Sequence, residues 1–377
     1  SLQHKDDKRP SHGYTSFFPF AMPARMAATG QPQGGGECNH RTLASSSCPD
    51  KSGNPAVGGG ERNLNRGLHA MHTEEADFFL QSYHFDLPQE QIAQFPPDER
   101  GASRLLTLRH ENFCNLPDCL PEGALLVANN SRVLQARLLG TRATGGKVEF
   151  LLLTPLPLVV ARAKTGKDGA FYAEAEGLVR SGGSIREGES FAFGAGIGVR
   201  VLESGPFGQR RVRLSWQGDL ASAFAATGHI PLPPYIKRPD AEEDQSRYQT
   251  IYARQDKTGS VAAPTAGLHF TPSLRQRLEE RGFQWAEVTL YVGYGTFSPV
   301  RSEDIRSHRM HREYVEVPEA TAQAIATARE EKRPVIAVGT TSLRTLEGVA
   351  ELCGRVLPYA GWTDIFLYPG RPFRVAD

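Results

Sequence analysis

The chain has 377 residues, of which 39% are hydrophobic and 23% charged, a balance typical of a soluble globular protein with two or three domains. Its 43 Lys and Arg residues are matched by 42 Asp and Glu residues, which excludes a strongly basic nucleic-acid coat but allows a local basic patch. No apolar run approaches the roughly 20 residues of a membrane-spanning helix, and the five cysteines form no CxxC pair. We therefore expect a cytoplasmic protein that binds no membrane and no metal.

The first 70 residues differ in composition from the rest of the chain. The stretch "QPQGGGECNHRTLASSSCPDKSGNPAVGGGERN" is rich in Gly, Ser, Pro and Asn, so it buries too little apolar surface to offset the entropy of ordering. We expect residues 1–70 to be a disordered upstream extension. A targeting peptide is the alternative, which the acidic residues of this segment disfavour.

Residues 71–228 predict two kinds of structure in succession. "LPQEQIAQFP" predicts a short helix that ends at Pro96, and Leu125–Ala128 predicts an apolar strand before the polar turn Asn129–Ser131. From residue 143 to 228, short β-rich runs separated by Gly-rich turns predict a small inserted β-barrel.

The remainder alternates between helix and strand. "GHIPLPPYIKRP" predicts an extended connector. "SLRQRLEERG", "PEATAQAIATAREEKR" and "TSLRTLEGVAELCG" predict helices, the second with Ala322, Ile325 and Ala328 on one face and the third ending at Gly354. "AEVTLYV", "PVIAVG" and "DIFLYPG" predict strands. The predicted architecture is a three-layer α/β domain, residues 71–142 and 229–377, with a largely parallel sheet and the barrel inserted.

Two polar segments directly follow predicted strands. "NNSR" contains Asn130 and Arg132 at a strand end, where ligands gather in open α/β sheets, although Asn and Ser are also ordinary turn formers. "VGTTSLR" places Thr340, Thr341 and Ser342 at the start of a helix, whose free amides attract a carboxylate or phosphate. The alternative for these hydroxyls is plain helix capping.

The segment "YVGYGTFSPV" offers a different kind of contact. Its glycines allow close backbone approach to a ligand, and Tyr294 and Phe297 flank Gly295 and Thr296 with aromatic faces suited to a purine or a sulfonium. The alternative is a Gly-rich hairpin with core aromatics.

The segment from residue 301 to 317 is dense in basic side chains, namely Arg301, Arg306, Arg309, Arg312, His308 and His311. The spacing of His308, His311 and Glu313 weakly resembles a set of metal ligands. We favour anion binding or proton transfer, and a solvated charged loop is the alternative.

The apolar run "VAAPTAGLHFTPSL" is bent by Pro264 and Gly267, so it fits neither a helix nor a strand. Thr265 and His269 are placed on this rigid bend. They are candidates for a site, or else His269 is a hydrogen-bonded core residue that shapes the turn.

Taken together, these motifs resemble a known family. "RGASRLL", "NNSRV", "GGKVE", "GHIPLPPYI", "YQTIYA", "VAAPTAGLHFT", "VGYGTF", "MHREY", "VGTTSLRTLE" and "DIFLYPG" stand in the order seen in the S-adenosylmethionine:tRNA ribosyltransferase-isomerases of queuosine biosynthesis. The resemblance spans about residues 80–377. It implies an α/β fold with an inserted barrel, S-adenosylmethionine as co-substrate, no metal, and a tRNA carrying 7-aminomethyl-7-deazaguanine at the wobble position. The ribosyl group of S-adenosylmethionine moves onto that base and is isomerised to an epoxycyclopentane, with release of adenine and methionine.

The sequence departs from this family in three places. Residues 1–70 have no counterpart, Tyr291 stands where a histidine is common, and the chain stops at "RPFRVAD" before two further family segments. We therefore expect a C-terminally truncated chain. A non-catalytic tRNA-binding remnant is the second hypothesis, and a metal-dependent hydrolase using His308, His311 and Glu313 is the third.

The resemblance also assigns roles to the residues named above. A base of near-neutral pKa must take a proton from the carbon beside the sulfonium. His269 with Thr265, and His311 with Glu313, are the catalytic candidates. We expect the co-substrate to bind the polar and aromatic residues named above in "NNSR", "VGTTSLR" and "YVGYGTFSPV". We expect tRNA phosphates to contact Arg301, Arg306, Arg309 and Arg312, with help from the helix that carries Arg275 and Arg277. The next surface to test is the barrel, with Arg210, Arg211 and Arg213. We expect a monomer.

Overall fold

The computed structural model describes residues 75–107, 111–142 and 144–377, so the extension predicted over residues 1–70 lies outside the described residues. Within these ranges, no helix has the length and apolarity needed to cross a bilayer. The strands are β1 Arg104–Leu105, β2 Glu111–Asn112, β3 Leu125–Asn129, β4 Arg132–Val133, β5 Arg137–Thr141, β6 Lys147–Leu152, β7 Lys164–Thr165, β8 Phe171–Ser181, β9 Ser190–Ala192, β10 Gly198–Ser204, β11 Gln209–Trp216, β12 Thr258–Ser260, β13 Gln284–Tyr291, β14 Glu313–Val317, β15 Val335–Val338 and β16 Tyr359–Thr363. The helices are α1 Leu116–Cys119, α2 Leu156–Ala161, α3 Leu220–Thr227, α4 Asp244–Arg247, α5 Pro272–Glu280, α6 Glu319–Glu330 and α7 Gly339–Cys353.

The predicted barrel is confirmed as a strongly curved antiparallel sheet with the order β5-β6-β8-β11-β10-β9, in which β7 also pairs with β8. The sheet nearly closes, because a Cβ on Gly140 of β5 would lie 2.9 Å from the ring of Phe193, which follows β9. Its interior is apolar and includes Phe150, Val201 and Leu214. The first strand of this sheet, β5, begins at Arg137 and so precedes residue 143, where the sequence predicts that the inserted domain starts. The limits of the inserted domain remain a proposal.

The three-layer α/β arrangement is also confirmed. A five-stranded sheet has the order β15-β3-β13-β14-β16. On one face Leu125 and Val127 of β3 pack with α6 and α7, and on the other Leu126 and Ala128 pack with α5. Consecutive side chains of β3 therefore enter opposite layers, as the two-residue period of a strand requires.

The expectation of a largely parallel sheet is wrong. β15, β3 and β13 pair in parallel, but β14 is antiparallel to both β13 and β16. β13 and β14 are joined by a loop with two short 3₁₀ turns instead of a crossover helix, so the chain reverses direction between them.

Two predicted elements are absent. "DIFLYPG" forms no strand, and β16 ends immediately before it at Thr363. Arginine side chains take up backbone carbonyls that a neighbouring strand would otherwise bind, since Arg344 donates to Ile365 O and Arg371 to Phe366 O. "LPQEQIAQFP" forms only a 3₁₀ turn at Gln89–Gln91, because none of the residues in that turn is buried to stabilise a helix.

The helices of the C-terminal third follow their sequence patterns. The predicted apolar face of α6 is buried, and α7 ends where Gly354 adopts a left-handed conformation with φ of 79°. Thr271, near the end of the segment "VAAPTAGLHFTPSL", caps α5. Its hydroxyl accepts a hydrogen bond from the Leu274 N–H at 3.1 Å.

Candidate functional site

Three of the predicted polar segments meet at one edge of the five-stranded sheet. Because β3, β13 and β15 are parallel neighbours, their carboxyl ends lie side by side. "NNSR", "GYGTF" and "GTTS" each continue from one of these ends. This edge is where ligands bind in open α/β sheets, so we take it as the candidate active site.

The start of α7 is not capped by a side chain. Val338 holds the N-cap position, so the alternative of plain capping by a threonine or serine is wrong. Thr340 is exposed, whereas the hydroxyl of Thr341 is buried and has no hydrogen-bond partner among the described residues. Ser342 is fully buried and donates to Val338 O at 3.0 Å, so its hydroxyl is used inside the helix. Thr340 and Thr341 remain candidates for ligand contact.

The bend of "VAAPTAGLHF" is a 3₁₀ turn, Thr265–His269, that abuts the start of α7. The Cβ of Ala266 is 3.0 Å from the position a Cβ on Gly339 would occupy. On the other side of the turn, a Cβ on Gly267 would lie 2.0 Å from Tyr252 Oη, so only glycine fits there.

His269 ends this turn half-buried, with its ring 5.2 Å from that of Phe113. Burial and the charge of Arg100 lower the pKa of His269. The imidazole is therefore neutral at pH 7 and able to accept a proton. Thr265, at the start of the turn, is exposed.

The second histidine candidate belongs to a buried charged cluster. Glu313 accepts a hydrogen bond from the Gly293 N–H at 2.9 Å and forms an ion pair with Arg344. Arg344 also donates to His311 O at 2.5 Å. Burial raises the pKa of Glu313, against the opposing effects of Arg344 and Gly293, and burial together with Arg344 and Arg301 lowers the pKa of His311.

His311 packs directly on the Gly-rich loop. A Cβ on Gly295 would lie 2.6 Å from the Cβ of His311, so this glycine allows the histidine to approach the backbone. Thr296 is exposed. The side chains of Tyr294 and Phe297 lie outside what the structure describes, and their stacking role remains a prediction.

Asn130 and Arg132 differ sharply although they are two residues apart. Asn130 is buried, donates to Glu287 at 3.1 Å and accepts from Thr289 at 2.8 Å, so its amide supports the strand end, and its contact with a ligand stays a prediction. Arg132 is half-buried, and its guanidinium makes no hydrogen bond or ion pair with any described residue.

The four arginines predicted to contact tRNA do not form one uniform patch. Arg306 is paired with Asp304 and Glu75 and lies over the ring of Phe78. Arg301 lies 3.8 Å from the ring centre of Phe207 at the tip of the β10–β11 hairpin, and Arg312 lies 5.6 Å from that of Trp362.

Arg309 alone of these four is exposed with no hydrogen bond, ion pair or ring contact to a described residue. On the barrel, the next surface to test for tRNA contacts, the arginine side chains have more partners within the protein. In the barrel, Arg211 pairs with Glu203 and Glu174, while Arg213 lies over Tyr172.

The third hypothesis, a metal-dependent hydrolase, has no geometric support. Among the described residues, no group of three or more His, Cys, Asp or Glu side chains is arranged to hold a metal ion. His308 packs edge-on to Phe366, and Glu313 is engaged by Arg344.

Sequence reasoning did not select Arg344, although it lies in the quoted motif "VGTTSLR". One turn into α7, it connects the helix to Glu313, His311 and Ile365. The signal available was an arginine in a helix whose neighbours Ser342, Thr345 and Leu346 are all buried.

The sequence comparisons with known proteins agree on one family. The chain is 59% identical over 323 residues to the S-adenosylmethionine:tRNA ribosyltransferase-isomerase of Oleidesulfovibrio alaskensis, covering 84% of each chain. It is 60% identical over 314 residues to the protein of the same name from Nitratidesulfovibrio vulgaris, covering 80% of this chain and 85% of the relative.

A solved structure of S-adenosylmethionine tRNA ribosyltransferase from Thermotoga maritima is 29% identical and covers 80% of this chain and 82% of its own, with a TM-score of 0.36. The family model described as queuosine biosynthesis protein matches residues 80–377. The chain therefore belongs to the queuosine biosynthesis protein family.

Proposed function

We infer that the chain is an S-adenosylmethionine:tRNA ribosyltransferase-isomerase that modifies tRNA in queuosine synthesis. The match of residues 80–377 to the family carries this conclusion, since it includes every segment of the candidate site. Relatives of 59–60% identity bear that enzyme name, and S-adenosylmethionine is accordingly the co-substrate.

We propose that the base modified is 7-aminomethyl-7-deazaguanine at the tRNA wobble position, and that the enzyme acts as a monomer in the cytoplasm. In this reaction the amine of the base attacks a ribose carbon of S-adenosylmethionine. The ribosyl group is isomerised, and adenine and methionine leave.

The two neutral histidines are the proposed proton acceptors. The positive sulfur of the co-substrate acidifies the adjacent carbon, and a neutral imidazole can remove its proton at pH 7. His269 and His311 both have lowered pKa values, and both lie beside α7, one through the turn at Gly339 and the other through Arg344.

The other residues of the site hold the reactants. Thr340 and Thr341 at the uncapped start of α7 are proposed to contact the co-substrate, and Gly295 and Thr296 to form the opposite wall. Glu313 is proposed to act indirectly, because its carboxylate is already engaged by Arg344 and Gly293. The arginines around Arg309 are proposed to contact tRNA phosphates.

The test is to incubate the chain with S-adenosylmethionine and tRNA carrying 7-aminomethyl-7-deazaguanine, and to measure adenine by chromatography. We expect adenine release that depends on both substrates. The matched control is the same tRNA with guanine at the wobble position, which should give none. Binding of this tRNA without adenine release would instead support the tRNA-binding remnant.

A further inference from the structure

A cleft of about 670 Å³ lies between Arg132, which ends the candidate-site segment "NNSR", and the residues around α4. One wall is Arg132 of β4, and the other is the segment around α4 with Glu242, Glu243, Gln249 and Thr250. Apart from Arg132, none of these residues belongs to the sites discussed above.

Two groups in the cleft lack the partners that folded proteins normally provide. Arg132 is half-buried, yet its guanidinium bonds to no described residue. Thr250 is only 5% exposed, and its hydroxyl has no hydrogen-bond partner among the described residues. Buried polar groups are almost always hydrogen-bonded, so the Thr250 hydroxyl points to a ligand that completes it, and the half-buried Arg132 guanidinium in the same cleft is free to pair with that ligand.

The cleft also carries negative charge. Glu242 is exposed at its rim and forms no ion pair with a described residue, while Glu243 adjoins it and lies in the field of Arg238. A phosphate group would be attracted by Arg132 but repelled by these carboxylates. A ligand with both an anionic and a cationic group has a partner on each wall, because the anionic group can pair with Arg132 and the cationic group with the glutamates.

We propose that this cleft binds the α-amino acid end of S-adenosylmethionine. Arg132 pairs with the α-carboxylate, for which its planar guanidinium is well matched, Thr250 adds a hydroxyl, and Glu242 receives the α-ammonium group. This proposal rests on the proposed function, because it takes S-adenosylmethionine as the co-substrate.

The position of the cleft fits one extended ligand. The methyl group of Thr250 lies 2.8 Å from the place of a Cβ on Gly267, so the cleft and the Thr265–His269 turn share a wall. Arg100 fastens them together by donating to Gln249 O at 2.8 Å and to Leu268 O at 3.3 Å. With the amino acid end in the cleft, the sulfonium and ribose extend towards the turn and the start of α7.

The test compares S-adenosylmethionine with its decarboxylated analogue by calorimetry on the full chain. The unmodified chain should bind S-adenosylmethionine roughly 10- to 100-fold more tightly than the analogue, because only the former carries the carboxylate. In Arg132→Gln this preference should fall to about onefold, and in Arg132→Lys it should be partly restored. Arg355→Gln, an exposed position after α7, is the matched control and should keep the full preference.

Glu242→Gln provides an independent test with an analogue lacking the α-amino group. The unmodified chain should discriminate against it, and the variant should not. A full carboxylate preference in Arg132→Gln would overturn the proposal, as would equal binding of both ligands by the unmodified chain.

Adenine release by the unmodified chain separates the two levels of inference. If adenine is released normally but these preferences are unchanged in the variants, the cleft assignment alone is wrong. If no adenine is released and S-adenosylmethionine does not bind, the proposed function fails and the cleft assignment fails with it.

Discussion

The two larger sheets of this molecule use polar side chains in opposite ways. Among the described residues that are both polar and buried, only Thr154 lies between Arg137 and Trp216, the limits of the barrel sheet. The others lie outside that span, and Asn129, Glu313 and Ser342 are examples close to the edge of the five-stranded sheet. The barrel instead pairs its charges near solvent, as Arg211 does with Glu174 at side-chain exposures of 45% and 50%.

This difference in buried polar residues indicates that the barrel sheet serves stability, whereas the five-stranded sheet also supports a binding site. Burying a polar group is unfavourable unless it is hydrogen-bonded, so a sheet that only has to be stable is best filled with apolar side chains. The barrel sheet follows that rule in its interior, and Arg210 Nε is its one buried side-chain polar atom without a hydrogen-bond partner among the described residues. Beside the five-stranded sheet, the buried hydroxyls of Thr250, Tyr252 and Thr341 have no hydrogen-bond partner among the described residues, and all three lie around the Thr265–His269 turn. Such exceptions are expected at a binding site.

The largest expected effect comes from removing the catalytic base. His269→Gln and His311→Gln should be compared by kcat for adenine release, and the variant that loses the base should fall roughly 10²- to 10⁴-fold. Arg180→Gln, on an exposed position of the barrel strand β8, should leave kcat unchanged. A large loss in the barrel variant would break the comparison between the two sheets.

The pH dependence of kcat identifies which histidine acts. A base must be neutral, so kcat should fall only below the ordinary histidine pKa of about 6.5. Arg301 lowers the pKa of His311, whereas Arg100 has that effect on His269. Arg301→Gln should therefore raise the pKa of His311 and move the acid limb to higher pH. An unmoved limb, measured at saturating tRNA, would assign the base to His269.

The next effect on stability compares a buried ion pair between β14 and α7 with an exposed ion pair in the barrel sheet. Arg344→Met leaves the buried carboxylate of Glu313 without its partner and should lower the free energy of unfolding by about 3–5 kcal/mol. Arg211→Met breaks an exposed pair in the barrel and should leave the free energy of unfolding nearly unchanged. Both are measured by urea denaturation. Equal losses would contradict the distinction drawn here.

A smaller effect concerns the unpartnered hydroxyl of Thr341. Thr341→Val removes a polar atom that has no hydrogen bond, so the free energy of unfolding should not decrease, while S-adenosylmethionine binding should weaken by roughly 1–3 kcal/mol. Thr345→Val is the matched control, because that hydroxyl donates to Thr341 O at 2.9 Å. It should lose about 1 kcal/mol of stability and keep its affinity. Unchanged affinity in Thr341→Val would remove this residue from the site.

The smallest effect is on the salt dependence of tRNA binding. Arg309→Ala should reduce the log–log slope by roughly 0.7–0.9, the value of one phosphate contact. Arg306→Ala should change it less, because Asp304 and Glu75 already pair with that guanidinium. If neither variant alters the slope, the patch is misplaced and Arg213 of the barrel becomes the next residue to test.

Local features of the sequence were sufficient to predict local structure. The burial of Ala322, Ile325 and Ala328 on α6 and the end of α7 at Gly354 follow from helical periodicity and from the conformational freedom of glycine. The family resemblance likewise follows from short motifs in a fixed order. Each of these depends on residues close together in the chain.

Only the tertiary structure decided which distant residues meet. Nothing local to "DIFLYPG" indicates that Arg344 takes its Ile365 carbonyl and that β16 precedes it. The Arg344–Glu313 pair and the cleft between Arg132 and Thr250 join residues far apart in sequence. Their proximity depends on the order and direction of the strands, because parallel pairing of β15, β3 and β13 brings three separate chain segments to one edge.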